Sequence, residues 1–344
     1  MAVVLFHLTE VKLEHPLVPQ GYLAVDFFFV LSGFVIANAY QSALANSMET
    51  SVFIWKRVIR LYPLAAAGAL FGLGVLLLKF LLFPAKVDSL PQILLSGGLN
   101  VLLLPTFWGG AASQYILFPG NGPLWSLFFE LVINVLWALV LVRRHIAELL
   151  IVVAISAALL VSRTYIAGTE NLGFEPATFL GGLARVCFGF TIGVLIYRLR
   201  DWLRMPTISG GNLILSVGLF AILVFPAATF VPQETYDLFC AIMVLPMIVV
   251  VGVSQVGLGK IGRLAGDLSY PLYALHYPIL LLASGLYQTK MSGVNPHALS
   301  VATVGLSVGV SWAALKLYDE PLRGFLSSIR RHRGISEVVA PTAG

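Results

Sequence analysis

Apolar residues in this chain run in long unbroken stretches, and polar residues gather in short segments between them. The runs lie near 22–40, 62–83, 123–142, 146–162, 177–197, 211–231, 238–257, 268–287 and 298–317. About 20 apolar residues in a helix cross the roughly 30 Å of bilayer hydrocarbon, so each run predicts a transmembrane helix. Two stretches break the pattern. Residues 92–107 contain Gly97, Gly98, Asn100 and Pro105 and predict a re-entrant or peripheral hairpin, which is permitted where protein shields the backbone. Residues 1–8 would rise only about 12 Å as a helix, so the first helix is expected to be truncated, with the true start upstream of Met1.

Composition reinforces this reading. The 344 residues are 58% apolar and 11% charged, against about 25% charge in a soluble domain. A water-soluble globule, a disordered chain, a disulfide-built module and a collagen-like fibre are therefore excluded. The net charge is +5, without the long basic stripe that nucleic-acid binding needs. Cys187 and Cys240 lie in or beside apolar runs and are expected to be packing residues.

Charge position sets the expected sidedness, because Lys and Arg near span ends concentrate on the cytoplasmic side. Placing 41–61, 143–145, 198–210, 258–267 and everything from 316 onward inside gathers most of the 21 basic residues there, while Lys12, Lys79, Lys86, Arg163 and Lys290 stay opposite. The partition closes with ten spans if 92–107 does not cross. No signal peptide fits the start. The expected fold class is all-α, a polytopic membrane helix bundle of about ten transmembrane helices in the plasma membrane, with both termini cytoplasmic. Residues 1–320 form the membrane domain, and 321–344 a basic tail whose Arg330, Arg331 and Arg333 meet anionic headgroups.

An ionisable side chain inside a span costs at least about 2.5–3.5 kcal/mol at mid-membrane and is a functional hypothesis by default. Five qualify: His7, Asp26, Glu130, Arg185 and His276. The first four fall in the outer half of the expected bundle. Arg185 either neutralises Glu130 or Asp26 as a structural pair or serves the site. His276, between Tyr273 and Tyr277, is equally readable as a hydrogen-bonded core residue or a functional one. His7 has little packing value on a short apolar helix, and a neutral imidazole takes protons near pH 7. Glu10 follows on the same helical face, where it either orients the imidazole or, as the ordinary reading has it, is solvated in a loop. Arg57 and Arg60 share one face before the span near 62–83, beside Lys56. That spacing suits phosphate binding and equally suits positive-inside anchoring.

Five motifs in order resemble the acyltransferase-3 family of integral-membrane acyltransferases, the O-antigen acetylase type. They are VVLFHL (3–8), GYLAVDFFFVLSGFVI (21–36), RVIRLYPL (57–64), LWSLFFELVINVLW (124–137) and LSYPLYALHYPI (268–279). Ala24 stands where the family often has glycine. The family's arginine about eleven residues before the histidine has no counterpart, because only six residues precede His7. The resemblance implies transfer of an acyl group, commonly acetyl, from cytoplasmic acyl-coenzyme A to a hydroxyl of a glycan or small molecule. It implies His7 and Glu130 as catalytic residues and Arg57 and Arg60 as the donor-binding pair. Asp26, Ser32, Trp125, Ser126, Arg185, Tyr270 and His276 would support the site or face substrate.

The expected mechanism has the arginines hold coenzyme phosphates while pantetheine reaches up between helices. His7 would act as general base or carry the acyl group transiently, with Glu130 orienting or charging it. Acyl-CoA would be a donor substrate; no permanently bound cofactor, metal or nucleic acid is expected. The rival readings are a transporter or flippase of a glycan or lipid-linked substrate, which typically shows paired halves not seen here, and a catalytically inactive homologue.

Overall fold

The computed structural model describes residues 1–11, 17–84, 88–108, 115–203, 206–226, 229–255, 259–289 and 293–332. Lys12, Lys86, Arg204, Lys290 and Arg333 of the expected charge partition, and the end of the basic tail from 333 on, lie outside the described residues. Among those described, all regular structure is helical.

The order is α1 (Ala2–Glu10), α2 (Leu23–Asn46), α3 (Thr50–Leu82), α4 (Leu90–Val101), α5 (Leu124–Leu141), α6 (Ile146–Ala167), α7 (Phe179–Leu199), α8 (Gly211–Val224), α9 (Gln233–Val253), α10 (Gly259–Thr289), α11 (Pro296–Ala314) and α12 (Glu320–His332). A π-helical turn, Leu315–Asp319, joins the last two. Each apolar run named above overlaps a helix among the described residues, although the run near 211–231 continues past Val224, where α8 ends. Seven helical segments among the described residues are long and apolar enough to cross a membrane. The 14-residue α8 rises only about 21 Å. The longer α10 opens with Lys260, Arg263 and Asp267 and contains Pro271 and Pro278. In place of a hairpin near 92–107, the single 12-residue α4 packs along α3. It rises about 18 Å, too short to cross alone.

Lipid supplies no hydrophobic drive between helices, so association rests on close packing and internal polar contacts. The α2–α7 seam shows both. A Cβ on Gly33 would lie 2.0 Å from the Phe190 carbonyl oxygen, and one on Gly193 2.1 Å from that of Val30, so only glycine permits this backbone approach. Nearer the start of α2, Arg185 reaches across the same seam. Its Nε and Nη2 donate to the two oxygens of Asp26 at 2.9 and 2.7 Å, and Nη1 and Nη2 to the Leu172 and Tyr22 carbonyls at 2.7 and 2.9 Å.

Proline inside a helix strips the carbonyl four residues earlier of its donor. Pro278 does this to Ala274, and Asn121 Nδ2 supplies the missing bond at 2.9 Å. The loop before α5 is thereby fixed against α10, which brings Tyr273 and Tyr277 beside Pro123 and Trp125.

Candidate active site

His7 projects from the last turn of α1 into a cavity of about 160 Å³, lined also by Glu10, Tyr22, Trp125, Tyr273 and Tyr277. Glu10 is the last residue of the helix and not part of a loop; it is exposed, and its Oε2 meets His7 Nδ1. With Nδ1–H donating to that carboxylate, neutral His7 keeps its lone pair on Nε2. The ring packs edge-on to Tyr277 at 5.0 Å and lies 5.2 Å from the His276 ring. His276 is fully buried; its Nδ1–H donates to the Leu272 and Tyr273 carbonyls, both at 2.9 Å, and its Nε2 has no partner. The Ser126 and Tyr273 hydroxyls lie 2.5 Å apart, and each is 3.1 Å from the Pro123 carbonyl, so one donates to the other hydroxyl and the other donates to that carbonyl. These bonds hold the cavity wall.

Glu130 is elsewhere. It lies on α5 five residues beyond Trp125, about 7.5 Å further along the axis, and is 2% exposed. Its Oε1 accepts from Arg57 Nη2 at 2.7 Å and from Ser32 Oγ at 3.1 Å. The expected partnership of Glu130 with His7 is therefore replaced by two pairs, His7 with Glu10 and Glu130 with Arg57. The axial offset along α5 is the physical reason.

Beyond Glu130, Arg57 and Arg60 line a second, open cavity of about 600 Å³, walled by Val35, Ile36, Ala39 and Tyr40 of α2. Arg60 stands over the Tyr270 ring at 5.7 Å, and the Tyr270 hydroxyl donates to the Leu61 carbonyl. Helix α2 orders the arrangement: Tyr22 and Val25 touch the His7 cavity, Ser32 touches Glu130, and Val35 onward touches the basic cavity. Val25 and Val35 are about 15 Å apart along the axis.

Asp26 and Arg185 pair with each other, one of the alternatives left open by sequence, and neither lines the cavities. Arg185 backs the site, its guanidinium 5.1 Å from the Trp125 ring centroid. Sequence reading did not select Glu170 and Asp237, whose carboxyls join this buried cluster. Asp237 accepts from Tyr22 Oη at 2.8 and 2.9 Å and from the Glu170 N–H at 2.9 Å. Burial, with the Asp26 charge nearby, raises the Glu170 carboxyl well above its ordinary range despite Arg185. Glu170 follows an apolar run in a polar loop, where nothing marks a glutamate as buried.

The family of acyltransferase domains matches residues 1–316. The chain is 37% identical over 147 residues, 41% of its own length and 77% of the relative's, to the protein called Protein 2 in picA locus from Rhizobium radiobacter. It is 26% identical over 328 residues to the Exopolysaccharide production protein ExoZ of Rhizobium meliloti (strain 1021), covering 92% of this chain and 94% of that one. No solved structure matches the chain.

Proposed function

This chain belongs to the acyltransferase domain family, and on that premise we propose that it is an integral-membrane O-acyltransferase of the plasma membrane, moving an acyl group, acetyl in the simplest case, from cytoplasmic acyl-CoA to a glycan hydroxyl. The observation that carries this reading is the stacking of two chemically different cavities along α2, with the Ser32–Glu130–Arg57 contacts between them.

In this reading the basic cavity faces the cytoplasm, as the positive-inside distribution favours, and takes the phosphates of the coenzyme. The pantetheine arm spans the interval of about 15 Å between the levels of Val25 and Val35. An acceptor hydroxyl enters the His7 cavity. His7 Nε2 removes its proton as the oxygen attacks the thioester carbonyl. The C–S bond then breaks, and coenzyme A leaves with its sulfur taking up the proton that His7 had removed. Glu10 holds the imidazole in the productive tautomer; a positioned base contributes about 10²–10⁴-fold. Glu130 acts by positioning Arg57. The name of the ExoZ relative supports a polysaccharide acceptor.

The test uses membranes containing the full chain and acyl-labelled acetyl-CoA. Release of free coenzyme A with label appearing in glycan is expected, and H7A abolishes both while the protein stays in the membrane. An intact protein that leaves the thioester unconsumed refutes the reading in favour of a carrier or an inactive homologue.

A further inference from the structure

The basic cavity is not made by α3 alone. Lys56, Arg57 and Arg60 supply one wall, and Arg323 of α12 supplies another, from the far end of the chain. The π-helical turn before α12 is tied to α3 by the Tyr318 hydroxyl, which donates to the Pro63 carbonyl at 3.3 Å. The next residue, Asp319, forms an ion pair with Arg323 Nη2 at 2.6 Å. Glu320, an acid on the cavity wall, is taken by Lys316 at 2.5 Å.

Arginines from α3 and α12 are thus each paired with an acid. Arg57 donates through Nη2 to Glu130, and Arg323 Nη2 forms an ion pair with Asp319. Guanidiniums paired with acids along an open cavity suit phosphate, because the planar fork matches phosphate oxygens. The apolar side chains of Val35, Ile36 and Ala39 on the same cavity suit a ligand that continues into an uncharged arm.

Resting on the donor reading above, we propose that Arg323 is a phosphate-binding residue of the coenzyme A site, so that the C-terminal helix closes the donor cavity opposite Arg57 and Arg60. Lys56 adds charge at the same rim.

The experiment measures equilibrium binding of free coenzyme A and of pantetheine, which lacks the phosphates, to the full chain in phosphatidylcholine nanodiscs. R323Q is expected to weaken coenzyme A about tenfold, equivalent to about 1.4 kcal/mol, and to leave pantetheine unchanged. R323K keeps the charge but loses the fork, and decides the matter if R323Q does not fold: weaker coenzyme A binding supports the proposal, and wild-type binding overturns it. Wild-type protein that binds no coenzyme A overturns the donor reading and this proposal together. Coenzyme A bound equally by wild type and R323Q overturns this proposal alone. Loss of co-purifying phosphatidylglycerol in R323Q with unchanged coenzyme A affinity assigns the arginine to a lipid headgroup, and likewise overturns it.

Discussion

Substituting Glu130 with Gln separates two roles that sequence left fused. The carboxylate is buried and accepts from Arg57 at 2.7 Å and Ser32 at 3.1 Å. Gln keeps the shape and an accepting Oε1, removes the charge and puts an amide NH2 where the unpartnered Oε2 stood. A hydrogen bond to a charged group is worth about 1.5–3 kcal/mol and a neutral one about 0.5–1.5. Matched end for end, those ranges differ by roughly 1–1.5 kcal/mol, which is the expected loss. Spread over a looser Arg57, this amounts to about a tenfold rise in the KM for acyl-CoA. The proton-transfer step should be untouched, since His7 is met by Glu10. Steady-state kinetics across pH, with acyl-CoA varied, distinguishes the cases. E130Q should raise the donor KM and leave the shape of the pH profile alone, whereas E10Q should lower kcat with little change in donor KM. An E130Q enzyme with wild-type donor KM and a displaced pH profile would refute the assignment and return Glu130 to the histidine.

Two further outcomes follow from the buried cluster. R185M leaves Asp26 enclosed without its cation, and breaking such a pair costs about 3–5 kcal/mol; heating in detergent should aggregate R185M well below wild type, with D26N/R185M recovering part of the loss, and equal thermal retention of R185M and wild type would exclude a structural role for the pair. Glu170, whose oxygens find no hydrogen-bond partner, has its carboxyl raised by burial and by Asp26. The folded state therefore keeps a proton that the unfolded chain has already released, and stability falls as pH rises from the ordinary glutamate range through the raised folded value. E170Q should remove that slope, melting above wild type in mildly alkaline buffer and converging with it toward acid; parallel curves at every pH would contradict it.

The glycine contacts of the α2–α7 seam bear on where the site can form. With Gly33 and Gly193 in backbone contact with α7 and α2 respectively, the axial position of Asp26 against Arg185 is locked. The fixed α2 then serves as the ruler on which both cavities and Glu130 are spaced.

By itself, the sequence determined which segments are helical and apolar, and which side chains are chemically unusual there. In lipid, a long apolar stretch has essentially one way to satisfy its backbone, so the runs near 22–40 or 177–197 could be little else. His7, Glu130, Arg57 and Arg60 were legible for the same reason, since charge within or beside such runs is costly and stands out. Pairing was not legible. Which acid meets His7 depends on how far α5 is offset from α1, and whether Glu130 reaches an imidazole or a guanidinium depends on the axial register of α3 against α5. Tilt and register come from packing between helices and not from hydropathy. The fourth cation of the basic cavity shows this most plainly: Arg323 reads as an ordinary basic residue near a chain end, and only the return of α12 onto α3, tethered at Pro63 by Tyr318, places it opposite Arg57. Sequence periodicity carries the conformation of each helix, whereas the level at which two helices meet is a property of the whole bundle.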